Sequence, residues 1–335
     1  NLNVNDSAVS CAKLIVESGD TITAAHSSNA LTVTGAGIGN NRSIDFTGAI
    51  SGTLDIITTA SGTREDDLSA SSGTVNHLTV NNASAVMRMN ASYTIGNLTI
   101  TAGQLSTADA GGSSKNLTVT GHCVIGDGSG AADTAVLTGN ESTISMKSLV
   151  IKSDGKYDAT NQTTTVNGEG DGSVGSQNGF AIYNENGTFT HNNGLVLITT
   201  NTNTVIFGME GDDISGSGAN AFNRLQIELT LATYKVLLRP GSGTAHVIKG
   251  NVSVAEGILQ TETDSHTLTI EGDVSIESGG TLGHADHDGN DSFKSLSISS
   301  GGTCIASEGT TTITGANSNN HALEGAGTFT HNNGT

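Results

Sequence analysis

The residue pattern closest to a metal site lies in a short polar stretch near the C-terminus. Asp286, Asp288 and Asn290 place side-chain oxygens at alternate positions of the chain. Carboxylate and amide oxygens are the ligands that calcium prefers in proteins. The stretch therefore has two interpretations, a calcium-binding loop or a polar corner without metal. We expect no other cofactor.

The same stretch resembles the first half of an EF-hand loop. It departs from that family at two positions, because Asp291 stands where the EF-hand turn needs Gly and Ser297 stands where the bidentate Glu belongs. The resemblance implies calcium ligands at the three alternate residues, whereas the departures favour the polar corner.

A second candidate chemistry is polysaccharide hydrolysis. The pair Asp212-Asp213 and the triplet Gly121-His122-Cys123 resemble the Asp pair and the Gly-His-Gly motif of polygalacturonase-like hydrolases. The order of the two motifs is reversed here, and no Arg-Ile-Lys triplet follows. Because glycoside hydrolysis needs positioned carboxyl groups, we expect no catalytic residues and a chain that is not an enzyme. A polysaccharide-degrading β-helix enzyme is the least favoured alternative.

The remaining reactive side chains are expected to have structural roles. His191 and His331 occupy the same place in two identical octapeptides, which favours a corner or stacking position. Cys11, Cys123 and Cys304 are far apart and form no Cys-x-x-Cys pair. We therefore expect small buried apolar residues rather than a disulfide framework or a zinc site.

The elements that position these side chains must be built from small and β-branched residues. The chain has 335 residues with 45 Gly, 1 Pro, 0 Trp and 3% aromatic residues. This composition excludes a helical bundle, because helix-favouring residues are scarce, and collagen, because proline is almost absent. The net charge of −19 repels nucleic acid and anionic membranes, and no apolar run is long enough for a membrane-spanning helix. We expect neither nucleic-acid binding nor membrane insertion.

Short alternating segments predict strands that are joined by glycine corners. Residues 98–100 (Leu-Thr-Ile) are followed by Gly103, and residues 252–254 (Val-Ser-Val) are followed by Gly257. A period of two indicates a strand with one buried face, and Gly permits a positive φ at the corner. The same pattern occurs at residues 274–276 with Gly279 and at residues 296–298 with Gly301.

The strands recur at a nearly constant interval. Leading leucines are spaced by 23, 24, 20 and 19 residues, a mean of 21.5. Such a return is typical of one coil of a β-solenoid, whereas a sandwich has short strands without needing this period. We predict an all-β, right-handed parallel β-helix of about 15 coils, with the handedness taken from the crossover preference. The leucines are Leu31, Leu54, Leu78, Leu98 and Leu117.

A longer period indicates an internal duplication of about 147 residues. Residues 147–154 (KSLVIKSD) match residues 294–301 (KSLSISSG), and the octapeptide GTFTHNNG occurs at both 187–194 and 327–334. Duplicating a stackable segment lengthens a solenoid without disturbing its neighbours. The predicted organisation is one continuous rod with N-terminal coils at 1–75, a first repeat unit at 76–222 and a truncated second unit at 223–335.

Other segments match between the two units at slightly different offsets. Gly96-Asn97 matches Gly250-Asn251, and Asn76 matches Asn223. If the unit repeats again, we expect residue 335 to be followed by a coil similar to residues 195–198 (Leu-Val-Leu-Ile).

The Thr/Gly/Asn-rich segments at residues 116–130, 267–282 and 327–334 resemble the β-solenoid repeats of tailed-bacteriophage fibres and virion-surface proteins, and similar repeats occur in bacterial adhesins. The resemblance implies an extracellular or virion-surface location and a structural rod of a fibre that supports host or surface attachment. The alternative is a bacterial cell-surface adhesin or filament subunit. Expected partners are other copies of the chain or further coils of a longer chain, and cell-surface carbohydrate. Binding is expected on outward Asn, Thr and Asp rows or at the corners 208–220 and 284–293.

Overall fold

The computed structural model is an all-β protein. Strands make up 57% of the chain, and a single 3₁₀ turn at Ser173–Gly175 is the one helical element among the described residues. None of the helical segments in the described part is long and apolar enough to span a bilayer. The structure describes residues 2–4, 9–24, 30–35, 42–129, 131, 134–208, 222–239 and 245–335.

The chain divides into two compact units, Asn1–Gln162 with Ser173–Ser176, and Thr163–Gly172 with Gln177–Thr335. This division is based on contacts within each unit, whereas the repeat boundaries at 75/76 and 222/223 are based on sequence matches. Those repeat boundaries stay predictions. The strands of the first unit are β1 (Leu2–Val4), β2 (Val9–Cys11), β3 (Leu14–Val16), β4 (Thr21–Ala24), β5 (Leu31–Val33), β6 (Ile44–Phe46), β7 (Ala49–Gly52), β8 (Leu54–Thr58), β9 (Gly62–Asp66), β10 (Val75–Met89), β11 (Tyr93–Ser106), β12 (Leu117–Ile125), β13 (Ala135–Thr138), β14 (Ile144–Ile151) and β15 (Gly155–Asp158).

The second unit continues the same strand-and-corner pattern. Its strands are β16 (Thr163–Val166), β17 (Phe180–Asn184), β18 (Thr188–Thr190), β19 (Leu195–Ile198), β20 (Thr204–Phe207), β21 (Arg224–Glu228), β22 (Lys235–Arg239), β23 (Ala245–Ile248), β24 (Val252–Thr261), β25 (Thr267–Ile276), β26 (Gly280–Leu282), β27 (Asp291–Ile298), β28 (Thr303–Ile305), β29 (Thr311–Ile313), β30 (Leu323–Gly325) and β31 (Thr328–Thr330).

Within each unit, strands of successive coils pair in parallel, which confirms the predicted β-solenoid. In the first unit β5, β8, β10, β11, β12 and β14 form one such stack. Its buried residues form a ladder, that is, a column of side chains at the same position of successive coils. The ladder consists of Leu31, Ile56, Leu78, Leu98, Cys123 and Leu149.

The leading leucines therefore belong to three ladders rather than one. Leu54 pairs with Val75 and Leu117 pairs with Tyr93, on the neighbouring stack. Their spacing is close to the length of the first coils because each coil contributes an apolar residue to both stacks.

The solenoid has about 12 turns, so the expectation of about 15 coils is too high. Some coils beyond residue 98 are longer than the mean leucine spacing, since Leu98 pairs with Cys123 and Thr204 pairs with Val236, separations of 25 and 32 residues. In the coil from Leu98 to Cys123 the extra residues lie in the corner between β11 and β12, where insertions leave the stacked strands undisturbed. Right-handed winding stays a prediction.

The glycine corners are confirmed. Gly103 and Gly257 have φ values of +91° and +96°, a conformation in which a residue with Cβ is strained. Each of these glycines lies between two strand segments that belong to different faces of one coil. The chain therefore turns at the glycine itself and needs no longer loop there.

Equivalent Gly-Asn pairs perform the same task in both predicted repeats. The Asn97 Oδ1 accepts a hydrogen bond at 2.9 Å from the backbone N–H of His122 in the next coil, and the Asn251 Oδ1 accepts one at 2.9 Å from Asp273. The glycine before each asparagine lies against the previous coil, where a Cβ on Gly250 would be 1.8 Å from a carbonyl oxygen. This shared arrangement supports the duplication.

The long repeat is also visible in strand length. β14 and β27 each contain eight residues, and their first residues, Ile144 and Asp291, are 147 positions apart. Their burial patterns differ at one position.

A buried ion pair fixes one corner of the first unit. Arg64 and Asp66 are 1% and 0% exposed, and the Arg64 Nε lies 2.7 Å from the Asp66 Oδ2. The Asp66 Oδ1 accepts hydrogen bonds from the backbone N–H groups of Ser43 and Ile44, at 2.7 and 2.9 Å. Burial raises the pKa of Asp66, while the Arg64 charge and the two amides act to lower it. The pair joins two consecutive coils inside the core.

Two of the three cysteines are buried apolar residues, as expected. Cys123 and Cys304 are 0% and 1% exposed, and burial raises the pKa of each thiol to about 12. Cys11 is half-buried.

Candidate functional site

The predicted calcium loop connects β26 to β27 and exposes Asp286, Asp288 and Asn290 to solvent. One of its oxygens is engaged: the Asn290 Oδ1 accepts a hydrogen bond at 2.9 Å from the backbone N–H of Thr310. The backbone N–H of Asp288 donates to the Asp264 carbonyl at 2.9 Å. In the described part of the chain, no group of three His, Cys, Asp or Glu residues is arranged to hold a metal ion. Calcium binding at this loop stays a prediction.

The hydrolase-like residues do not form a site in the described structure. Asp212 and Asp213 lie outside the described residues. His122 is 3% exposed, and its ring Nδ1 lies 2.8 Å from the Ser148 Oγ of the next coil, while Cys123 belongs to a buried ladder. This triplet therefore faces neighbouring coils and presents no accessible base to a polysaccharide.

The two octapeptide histidines lie at corners. The ring Nδ1 of His191 accepts a hydrogen bond at 3.0 Å from the backbone N–H of Asn193, and partial burial lowers the pKa of His191. His331 is exposed. The geometry of His191 agrees with the expected corner role.

A column of histidines in the second unit was not predicted. His246, His266 and His287 are separated by 20 and 21 residues, close to one coil in each case, although His246 pairs in register with Leu268. Their near-periodic spacing is the sequence signal that could have identified them. The rings of His246 and His266 are 5.6 Å apart, and those of His284 and His287 are 5.2 Å apart.

The pKa values of His246 and His287, at the two ends of this column, are shifted in opposite directions. Burial, assisted by the nearby His266, lowers the pKa of His246 to about 3. Burial also acts to lower the pKa of His287, but the hydrogen bond and charge of Asp291 outweigh it and raise that pKa. The Asp291 Oδ1 lies 2.9 Å from the His287 Nε2. His246 is therefore neutral at neutral pH.

The surface feature best suited to binding is an open groove of about 380 Å³ across β21, β24, β25 and β27. Alternation along these strands turns every second residue outward. Gln226, Ser253, Ser275 and Ser297 occupy one position of four consecutive coils. Their neighbours on either side in the chain are buried in two ladders, one that contains Leu225 and one that contains Ile227.

A second polar row lies beside the first. The Asp273 backbone N–H donates to the Asn251 side chain, and the Asp273 Oδ1 accepts from the Ser295 Oγ at 2.8 Å. The Lys294 Nζ lies 3.0 Å from the same carboxylate oxygen. Arg224 lies at the end of the groove near Leu195. The groove thus combines hydroxyl, amide and paired charged groups.

The spacing of these groups is set by the fold. Adjacent parallel strands lie about 4.8 Å apart, so the groove offers similar donors and acceptors once per coil. A repeating polar ligand can use several coils at once, and hydroxyl and amide groups both donate and accept hydrogen bonds. Sequence reasoning expected outward polar rows but did not locate this one.

No protein-family model, no curated protein and no solved structure matches this chain. The functional argument therefore depends on the geometry of the described residues.

Proposed function

We propose that this chain is a structural β-solenoid segment of an extracellular or virion-surface fibre that supports attachment, and that its groove contacts surface carbohydrate. The observation that carries the proposal is the polar row Gln226, Ser253, Ser275 and Ser297, which repeats once per coil beside the ladder of buried residues. Stacked coils suit a fibre because each coil depends chiefly on its neighbours, so length is added without altering the fold.

The chemistry of the groove favours neutral glycans. The net charge of −19 repels acidic polymers, whereas the hydroxyls of Ser253, Ser275 and Ser297 suit sugar hydroxyls. The groove-lining residues include no aromatic side chain, so the affinity of one groove for a short glycan is expected to be weak. Many copies on one fibre would raise the effective affinity by about 10²–10⁴.

A pair of matched variants tests the carbohydrate contact. Ser275→Tyr places a bulky side chain in the groove, and Thr281→Tyr places the same side chain at an outward position of β26, which follows Ser275 in the chain and lies outside the groove lining. Binding of neutral and sulfated oligosaccharides is measured by isothermal titration with the single chain. It is also measured by glycan array with many copies of the chain presented together. We expect neutral glycans to bind, with a loss of about tenfold or more in Ser275→Tyr and no loss in Thr281→Tyr.

Two results would contradict this proposal. Absence of binding to every neutral glycan on the array would remove the carbohydrate contact, and equal losses in the two variants would move it away from the groove. Location is tested separately by immuno-electron microscopy. Label along virion fibres is expected, whereas label on bacterial cells would favour the adhesin alternative.

A further inference from the structure

The groove of the second unit is lined by two polar rows that run from coil to coil. In the first row each residue pairs in register with the next, and its members are Gln226, Ser253, Ser275 and Ser297. In the second row each residue precedes its first-row neighbour by two positions, and its members are Arg224, Asn251, Asp273 and Ser295. Side chains two positions apart on one strand share a face, so the two rows are about 6.6 Å apart.

The two rows differ in what they offer to a ligand. The serine hydroxyls and the glutamine amide of the first row both donate and accept hydrogen bonds. In the second row Asn251 is exposed, and its Oδ1 already accepts from the Asp273 backbone N–H, so its Nδ2 is the atom left to donate. Ser295 is 2% exposed and donates to Asp273. The first row can therefore pair with donors or acceptors at every coil, whereas the second row has a fixed polarity at each coil.

The register of the coils fixes the period that a bound polymer must have. The pairing is unbroken along the first row from Gln226 to Ser297, and adjacent parallel strands lie about 4.8 Å apart. A ligand that contacts all four coils must be straight over about 14 Å and must present polar groups once per coil.

We propose that the groove binds an extended β-1,4-linked chain of neutral hexopyranoses that runs from coil to coil, with one sugar on each coil. In such a glycan the sugars form a nearly flat ribbon, and each sugar advances the chain by a distance close to the spacing between coils. Successive sugars are flipped, so each edge of the ribbon presents ring hydroxyls and hydroxymethyl groups in turn. The first row suits this alternation because its groups donate and accept at every coil.

A coiled glycan does not fit the same rows. An α-1,4-linked glucan winds into a helix, in which each sugar advances much less along the axis and turns its hydroxyls in a new direction. It can contact one or two coils of the groove but not four in a line. The net charge of −19 disfavours an acidic chain. The inference rests on the proposed carbohydrate contact and names the class of glycan that the groove takes.

Oligosaccharides of increasing length test the inference on the 335-residue chain. β-1,4-linked oligosaccharides of glucose, mannose and N-acetylglucosamine, with two to six sugars, are compared with α-1,4-linked gluco-oligosaccharides of the same lengths by ligand-observed NMR titration. We expect the association constant of at least one β-1,4-linked series to rise about three- to tenfold with each sugar, since each adds a hydrogen-bonded coil. The rise should level off at four sugars, because four coils carry the first row. The α-1,4-linked series should stay near the value of the β-1,4-linked disaccharide.

Blocking single coils locates the bound chain. Gln226→Tyr blocks the first of the four coils and leaves three in a line, whereas Ser275→Tyr blocks the third coil and leaves two. The length at which affinity levels off should fall to three sugars in Gln226→Tyr and to two in Ser275→Tyr. It should stay at four in the control Thr281→Tyr, which lies outside the groove lining. Circular dichroism melts verify that each variant is folded.

Three results would overturn the inference: an association constant that does not depend on length, equal binding of α-1,4- and β-1,4-linked tetrasaccharides, or the same levelling-off length in Gln226→Tyr and Ser275→Tyr. The proposed attachment function survives each of them if Ser275→Tyr still loses neutral-glycan binding and Thr281→Tyr does not. Absence of binding to every neutral glycan would remove both proposals.

Discussion

Two identical octapeptides place one phenylalanine in the core and the other at the surface. Phe189 is 0% exposed and Phe329 is 44% exposed. Replacing each with alanine makes the same chemical change in the same local sequence. The difference between the two effects therefore measures what the covering coil contributes.

The expected magnitudes follow from burial. A Phe→Ala change in a packed core costs about 3–5 kcal/mol, and for Phe189 this includes the loss of the edge-on contact with Phe222. Full burial of a Phe side chain contributes about 1.5–3 kcal/mol. Phe329 is roughly half buried and leaves no closed cavity, so we expect its replacement to cost about 1 kcal/mol.

Local hydrogen exchange is the suitable assay, because a stacked repeat protein need not unfold in one step. Exchange is followed by mass spectrometry in peptides from residues 180–207 and 311–335, at low protein concentration. A difference of about 3 kcal/mol corresponds to about a hundredfold faster opening around residue 189 in Phe189→Ala than around residue 329 in Phe329→Ala. Equal changes in the two variants would refute the reasoning.

Three further predictions concern stability. Since the pKa of His246 is about 3 in the folded chain and about 6.5 when unfolded, only the unfolded chain gains this proton between these values. Stability should fall by about 1.4 kcal/mol per pH unit below pH 6.5; thermal melts of His246→Leu should show a shallower loss, and an unchanged slope would contradict the assignment. Gly250→Ala should separate two coils, because the new Cβ would meet a carbonyl oxygen at 1.8 Å. Gly315→Ala, whose Cβ would meet a movable side-chain carbon at 3.2 Å, is the control in circular dichroism melts. Asp66→Ala should cost about 3–5 kcal/mol in urea unfolding, since it leaves the buried charge of Arg64 unpaired; a cost below about 1 kcal/mol would show that the pair is dispensable.

Local pattern was sufficient to predict the coil and its corners. Residues 98–100 alternate apolar and polar types before Gly103, and both the strand and the positive φ of +91° are present. This succeeds because alternation and glycine act through the backbone of a few neighbouring residues. The Gly-Asn pairs could be matched for the same reason, since each performs one local task.

Ladder membership could not be predicted in the same way. Leu98 pairs with Cys123, and Leu117 pairs with Tyr93, although the leucines share one spacing. A coil contains several short strands, and corner length decides which face a given residue reaches. The calcium hypothesis for Asp286, Asp288 and Asn290 likewise came from local spacing, while the carboxylate of Asp291, the residue after Asn290, is paired with His287.

The amino-acid order alone determined that short apolar-polar strands turn at glycines, return after twenty or more residues and duplicate as a block. Only the tertiary structure decided which of two identical octapeptides is covered, where the row containing Ser275 faces solvent, and that Arg64 is buried with Asp66. The physical reason is that these outcomes depend on contacts between coils, and the partners in those contacts, such as Ser43 for Asp66, lie about one coil away in the chain.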